Sequence, residues 1–211
     1  MSIVHVMRHG QVDNPNGVLY ERLPGYHLTE LGHKMAAMSS QFFTSLPITH
    51  LRCSPLERTQ ETMAPIAALF DSLEVVLDER VIEAGSRFAG QIMGSTGQAA
   101  KNPKNWRYLV NPFRPSWGEA YAEIADRMIE AIVESAEIVG VEGQAVIVSH
   151  QLPIWAARLR ATGKSLWHDP RKRQCTLASI TSFHVSDGTV VSVEYSEPSL
   201  SLLPTGPSFG F

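Results

Sequence analysis

Two histidines, His9 and His150, and two arginines, Arg8 and Arg58, stand where apolar runs give way to polar turns or helix starts. Such a set suits phosphoryl transfer. A guanidinium presents a rigid fork of donors that matches phosphate oxygens, and two of them can hold the equatorial oxygens while charge builds. An imidazole attacks phosphorus only when neutral, and neighbouring guanidinium charges disfavour its protonated form. The second histidine can donate hydrogen bonds to the transferring group. An acid must still protonate the leaving oxygen, and Glu83 and Glu79 are the candidates.

The elements around these residues read as alternating strands and helices. Ile3 to Met7 is a short apolar run that stops at Arg8-His9-Gly10, and it predicts a buried strand. A loop over residues 11–27 precedes a helix capped by Thr29, with Leu31, Met35, Met38 and Phe42 on one face. A strand over Ile48 to Cys53 leads to a helix in which Ser54 is the expected cap, Pro55 the first helical residue and Glu57 the partner in a capping box. Arg58 then lies in the first turn. A strand at Leu73–Leu77 precedes an irregular excursion, Asp78 to Trp117, in which a short helix or two is expected. Ser116 to Glu119 reads as a second capping box. Behind it Tyr121, Ile124, Ala125, Met128, Ile132 and Ala136 recur at helical spacing. A strand at Ala145 to Ser149, a helix at Pro153 to Thr162 and a hairpin turning at Ser186-Asp187-Gly188 complete the pattern.

Alternation of this kind predicts an α/β fold: a single three-layer domain, its central sheet mostly parallel, with helices on both faces. The domain is expected over residues 1–197, with 198–211 as a C-terminal tail. In open sheets of this type ligands bind beyond the carboxyl ends of the strands. That edge would gather both arginines and both histidines into one crevice, beside the positive end of the helix near Ser54. The aromatics Tyr20, Tyr26, Trp106, Tyr108, Phe113 and Trp117 occupy the two long irregular segments and are candidates for its wall.

Composition sets the remaining bounds. The chain has 211 residues, 44% apolar and 18% charged, with a net charge of −3 and a pI of about 6.2. Such a balance carries no electrostatic footprint for nucleic acid or anionic membrane, so neither is an expected partner. The basic run Arg171-Lys172-Arg173 reads as a solvated loop. Cys53 and Cys175 stand apart, which favours reduced, buried thiols. The amino-terminal residues lack a basic leader and a long apolar core, and no run is long enough to span a bilayer. A cytoplasmic setting is therefore expected. His5 and His9 are four apart, but on a strand and the turn after it they face different ways with no third ligand cluster nearby, so no metal site is expected. No cofactor is expected either, and the sequence leaves a homodimer open.

Arg8-His9-Gly10 at the end of an amino-terminal strand resembles the RHG signature of the histidine phosphatase (phosphoglycerate mutase-like) superfamily. The resemblance continues through Leu28-Thr29-Glu30-Leu31-Gly32, similar to LTxxG, and Ser54 to Thr62, similar to SPxxRxxxT, and ends at Val148-Ser149-His150. It implies a phosphoglycerate mutase-like fold, His9 as the phosphorylated nucleophile, and Arg8, Arg58 and His150 as ligands of the phosphoryl group. It also implies an acidic proton donor after the third strand, in a pattern resembling LxExxxGxxEG. Here the text departs: Glu79 has Leu77 two residues before it, while Glu83 lies one residue short of the expected distance from Gly90, and Glu83 is favoured. The loop after Gly10 departs too, leaving Asn14 or Asn16 to supply a phosphate contact. The expected activity is hydrolysis of a small phosphomonoester. The alternatives are mutase-type transfer between hydroxyls and a non-catalytic phosphate-binding module.

Overall fold

The computed structural model describes residues 1–92 and 118–203. Among them, strand β1 (Ser2–Arg8) lies inside a six-stranded sheet with β2 (Ile48–Cys53), β3 (Val75–Leu77), β4 (Gln144–Ser149), β5 (Ile180–Ser186) and β6 (Thr189–Ser196). The order is β3-β2-β4-β1-β5-β6. The first four run parallel, while β5 and β6 form an antiparallel hairpin on the far edge.

The two sides of the sheet are set by the period of two along its strands. Val4 and Val6 of β1, with Ala145 and Ile147 of β4, enter one core cluster. Met7, Val146 and Val148 enter the other. Both faces are apolar, so both must be covered. Helices α1 (Glu30–Ser40) and α2 (Glu57–Ala67) cover the second through Met35, Met63 and Ile66. Helices α3 (Tyr121–Val139) and α4 (Gln151–Ala161) cover the first through Met128, Ile132, Ile154 and Ala157. Each large aliphatic side chain buried this way stabilises the fold by roughly 1.5–3 kcal/mol. The single three-layer α/β domain expected from the sequence is the one observed.

Local expectations needed correction where side chains found other partners. Helix α2 starts at Glu57 with Leu56 as cap residue, so Ser54 does not cap it; the Ser54 hydroxyl meets His150 instead. Helix α3 starts at Tyr121 with Ala120 as cap residue, so no capping box forms with Glu119, whose carboxylate pairs with Arg22 and Arg127. Met38 is exposed, and α1 buries Gly32, Met35, Ala36 and Ser39. Past Pro198, Leu200–Leu202 form a 3-10 turn, and Leu202 and Leu203 pack on the core. His5 bonds within the sheet, to Ser182 and Gln144. Within the excursion after β3, a 3-10 turn covers Glu79–Val81, and residues 93–117 lie outside the described part.

The parallel strands end level with one another. Arg8 pairs with Ser149, and Cys53 with both Val148 and Leu77. The ladder continues one residue further: the His9 amide donates to the Ser149 carbonyl, Ser54 to Val148 and Asp78 to Cys53. His9, Ser54, Asp78 and His150 therefore leave the sheet along a single edge.

Candidate active site

His9 is buried, and its Nδ1 lies 2.8 Å from the carbonyl oxygen of Gly10. A carbonyl only accepts, so Nδ1 carries the hydrogen and Nε2 keeps its lone pair. Burial, then the charges of Arg58 and Arg8, hold the His9 pKa well below its ordinary value. The ring is therefore a neutral imidazole with a fixed tautomer, the form that can attack phosphorus.

The strand end that carries His9 is clamped from two sides. The Gly10 amide donates to Thr62 Oγ1, which donates in turn to the Arg58 carbonyl one helical turn earlier. On the other side, the backbone at Gly10 and Gln11 crosses α1 at Gly32 so closely that neither glycine has room for a Cβ. The threonine of the SPxxRxxxT pattern and the glycine of LTxxG thus both hold the RHG turn.

Arg58 is fully buried under the Tyr20 ring, its guanidinium carbon 4.7 Å from the ring centroid. Its Nη2 donates to the Glu21 carbonyl at 2.5 Å and to His150 Nδ1 at 3.2 Å. Arg58 Nε and Nη1, and Arg8 Nε, are buried with no partner among the described residues. Buried guanidinium donors left unpaired are costly, and an oxyanion would satisfy them.

The His150 and His9 ring centroids are 5.2 Å apart. Because Arg58 can only donate, His150 Nδ1 accepts and the Nε2 hydrogen points to Ser54 Oγ, 2.8 Å away. Both nitrogens thus have protein partners, and donation to a phosphoryl oxygen requires one of these contacts to open. Burial, then Arg58, lowers the His150 pKa well below its ordinary value.

A cavity of about 320 Å³ opens over Arg8 and His9, walled by Tyr20, Glu83, Phe88, Tyr121, Leu152 and Arg173 among others. Glu83 faces it, and burial raises the carboxyl pKa, which favours the protonated form needed to donate to a leaving oxygen. Glu79 sits in the 3-10 turn and is exposed, away from the cavity wall. Asn14 is not a wall residue: its amide closes a turn on the backbone of Val18, and Asn16 is exposed. Of the candidate wall aromatics, Tyr20 lines the cavity with Tyr26 stacked behind it, whereas Trp106, Tyr108, Phe113 and Trp117 lie outside the described residues.

Several residues with a part here carried no signal in the sequence. The carbonyls of residues 80–83 have no strand to pair with, and side chains satisfy them: Arg127 donates to Arg80 and Ile82, Ser149 to Val81 and Arg22 to Glu83. These contacts fix the backbone that carries Glu83. Arg173 lies in the basic run read as a solvated loop, yet its side chain turns inward and lines the cavity; only Arg171 and Lys172 are exposed. Among the described residues no group of three or more His, Cys, Asp or Glu side chains could hold a metal ion.

The RHG turn, the helix bearing Arg58 and the strand-end His150 converge in the order and places of one family's motifs, and a model of the histidine phosphatase superfamily (branch 1) matches residues 4–198. The chain belongs to this superfamily. It is 49% identical over 195 residues to an uncharacterised protein of Mycobacterium tuberculosis, covering 92% of this chain and 96% of that one. It is 30% identical over 159 residues to a 2,3-bisphosphoglycerate-dependent phosphoglycerate mutase of Thermoplasma acidophilum, covering 74% of each. In fold it is similar to a phosphoserine phosphatase of Entamoeba histolytica solved with 3-phosphoglyceric acid: TM-score 0.74, 19% identity, 94% of this chain and 99% of that one. The superfamily's phosphatase and mutase members make this chain a phosphoryl-handling protein at that level.

Proposed function

We propose that this histidine phosphatase superfamily member hydrolyses a small phosphomonoester through a phosphohistidine at His9. One observation carries the reading: a buried, neutral imidazole and buried guanidinium donors of Arg8 and Arg58 whose charges act on it, with His9 Nε2 and those donors unpartnered among the described residues. Nε2 attacks phosphorus while Arg8 and Arg58 bind the phosphoryl oxygens. Glu83, protonated, gives its hydrogen to the leaving oxygen. As a carboxylate it then takes a proton from the water that attacks the phosphohistidine, which releases phosphate and restores His9. No step in this scheme calls on a metal or a cofactor. Free, buried Cys53 and Cys175 support a cytoplasmic setting, and among the described residues no helix is long and apolar enough to cross a membrane.

The relation to the Thermoplasma mutase supports a second reading, in which the phosphoryl group returns to a different hydroxyl. One experiment separates the two. Hydrolysis of p-nitrophenyl phosphate that survives EDTA and is lost in His9→Ala is the result expected of a phosphatase; isomerisation of phosphoglycerates identifies a mutase. Phosphate binding without turnover by either route would leave a non-catalytic module.

A further inference from the structure

Arg8 reaches the cavity from the end of β1, and one carbonyl orients its guanidinium. Arg8 Nη1 donates to the Cys175 carbonyl oxygen at 2.6 Å, and Gln151 Nε2 donates to the same oxygen at 3.3 Å. That oxygen belongs to the peptide unit between Cys175 and Thr176, whose other pole is engaged too. The Thr176 amide donates to the hydroxyl of Tyr195 in β6, 3.0 Å away. The Tyr195 hydroxyl in turn donates to Glu197 Oε1 at 3.0 Å. A peptide unit is planar, and in the trans form its carbonyl and its N–H point opposite ways. Tyr195 on one side and Arg8 on the other therefore hold a single rigid plane. Turning that carbonyl away from Arg8 would break both contacts. Neither Tyr195 nor Glu197 lines the cavity, so the two act from outside it.

The hydrogens of this chain all point one way, from the Arg8 guanidinium through the peptide and the phenol to the Glu197 carboxylate. Aligned bonds of this kind polarise one another, so the carboxylate strengthens the carbonyl as an acceptor for Arg8. Thr176 Oγ1 also donates to Glu197 Oε1, at 2.9 Å, which ties the peptide to the same anchor. Burial raises the Tyr195 pKa, and the phenol keeps the hydrogen it donates. The turn that follows is strained. Ala178 is buried at a φ of 53°, a conformation that ordinarily selects glycine. Its amide donates to the His9 carbonyl, its carbonyl accepts from Ser39 Oγ, and the Ser179 carbonyl accepts from the Arg8 amide. The turn thus braces the main chain of Arg8 and His9, while the peptide before it aims the Arg8 side chain.

Resting on the reading of Arg8 as a phosphoryl ligand, we propose that Tyr195 is a positioning residue for phosphoryl binding. With Glu197 it fixes the peptide between Cys175 and Thr176, and that peptide sets the direction in which the Arg8 guanidinium meets the phosphoryl oxygens. The ring of Tyr195 is itself held, since the Arg158 guanidinium lies over it, 5.2 Å from the centroid, and donates to the Gln174 carbonyl.

The test is a double-mutant cycle on the binding of inorganic phosphate, titrated by phosphorus NMR so that weak binding is still read. Tyr195→Phe keeps the ring and removes only the hydroxyl. It is expected to weaken phosphate binding by roughly 3- to 10-fold, the usual worth of one hydrogen bond. In an Arg8→Met background the same change should alter binding by less than about 2-fold, because the peptide then aims nothing. Glu197→Gln keeps an acceptor for the phenol and should lose less than Tyr195→Phe; a larger loss would mean that the carboxylate does not act through the phenol and would overturn the chain. An unchanged affinity in Tyr195→Phe also overturns the assignment. So does an equal loss with and without Arg8, which is what a loosened fold would give. Each of these results leaves the phosphatase reading intact. A wild type that binds no phosphate, or an Arg8→Met protein that binds it as tightly as wild type, removes the positioning role together with Arg8 as a phosphoryl ligand.

Discussion

A Cβ placed on Gly10 would stand 2.5 Å from the carbonyl oxygen of Gly32, and one on Gly32 would stand 2.1 Å from the carbonyl oxygen of Gln11. The chain leaving β1 and the first turns of α1 therefore touch backbone to backbone, and two motifs far apart in sequence are a single packing unit. Gly32→Ala is expected to force these backbones apart, costing about 1–3 kcal/mol or more and displacing His9. Thermal melting and turnover should fall together. A variant with unchanged melting temperature and full activity would show that the contact does not position the nucleophile.

Glu83→Gln is expected to slow hydrolysis of an alkyl phosphate by about 10²–10⁴-fold, because a poor leaving group needs its proton. It should affect p-nitrophenyl phosphate much less, since that leaving group departs as a stable anion. Glu79→Gln, on an exposed carboxylate, should stay near wild type on both. Equal, mild effects at the two positions would remove Glu83 as the donor.

The rate with an alkyl phosphate should be bell-shaped in pH. Its acid limb reports protonation of His9 and lies well below the ordinary histidine range; its alkaline limb reports ionisation of Glu83 and lies above the ordinary carboxylate range. In Glu83→Gln the alkaline limb should disappear while the acid limb stays. An alkaline limb that persists unchanged in the variant would assign it to another group.

Arg127→Met removes the donors that hold the Arg80 and Ile82 carbonyls and one partner of Glu119. Because Arg127 acts on Glu83 through the backbone, the expected signature is a lower kcat on alkyl phosphates with little change on p-nitrophenyl phosphate. The same loss on both substrates would point to a general structural role.

Stability should fall as the solution is acidified. In the unfolded chain the imidazoles of His9 and His150 take up protons near pH 6.5, but in the fold they are held neutral to much lower pH. Their contribution is complete above that value and declines below it, by up to about 1.4 kcal/mol per pH unit for each histidine. Glu83 works in the opposite sense, since its raised pKa lets the fold take up that proton first, and it offsets part of the decline. Melting temperatures between pH 7 and 5 should show a shallower dependence in His9→Ala than in wild type; parallel curves would mean that His9 is not buried as a neutral base.

The sheet was legible in the sequence because its strands are short all-apolar runs, and their polar ends marked one edge of it. Helix starts were less legible: Ser54 has the chemistry of a cap, but it faces a buried His150 whose position lies far along the chain. Arg173 was hidden by its neighbours Arg171 and Lys172, since charge density says nothing of which side chain turns inward. Glu83 was favoured by spacing alone; what sets it apart from Glu79 is burial and the side chains that bind its backbone, none of them close in sequence. Asn14 does not line the cavity, and a local turn to Val18 engages its amide, a partner that residue type alone does not reveal.

The claim on which the rest depends is covalent: phosphorus is transferred to His9 Nε2. The most direct measurement is to mix the protein with p-nitrophenyl phosphate, quench in alkali, where phosphohistidine persists, and locate the modified residue by peptide mass spectrometry. The expected result is an acid-labile phosphoryl group on His9, formed within one turnover and absent in His9→Ala. Turnover without any such adduct, or an adduct on another residue, would contradict it.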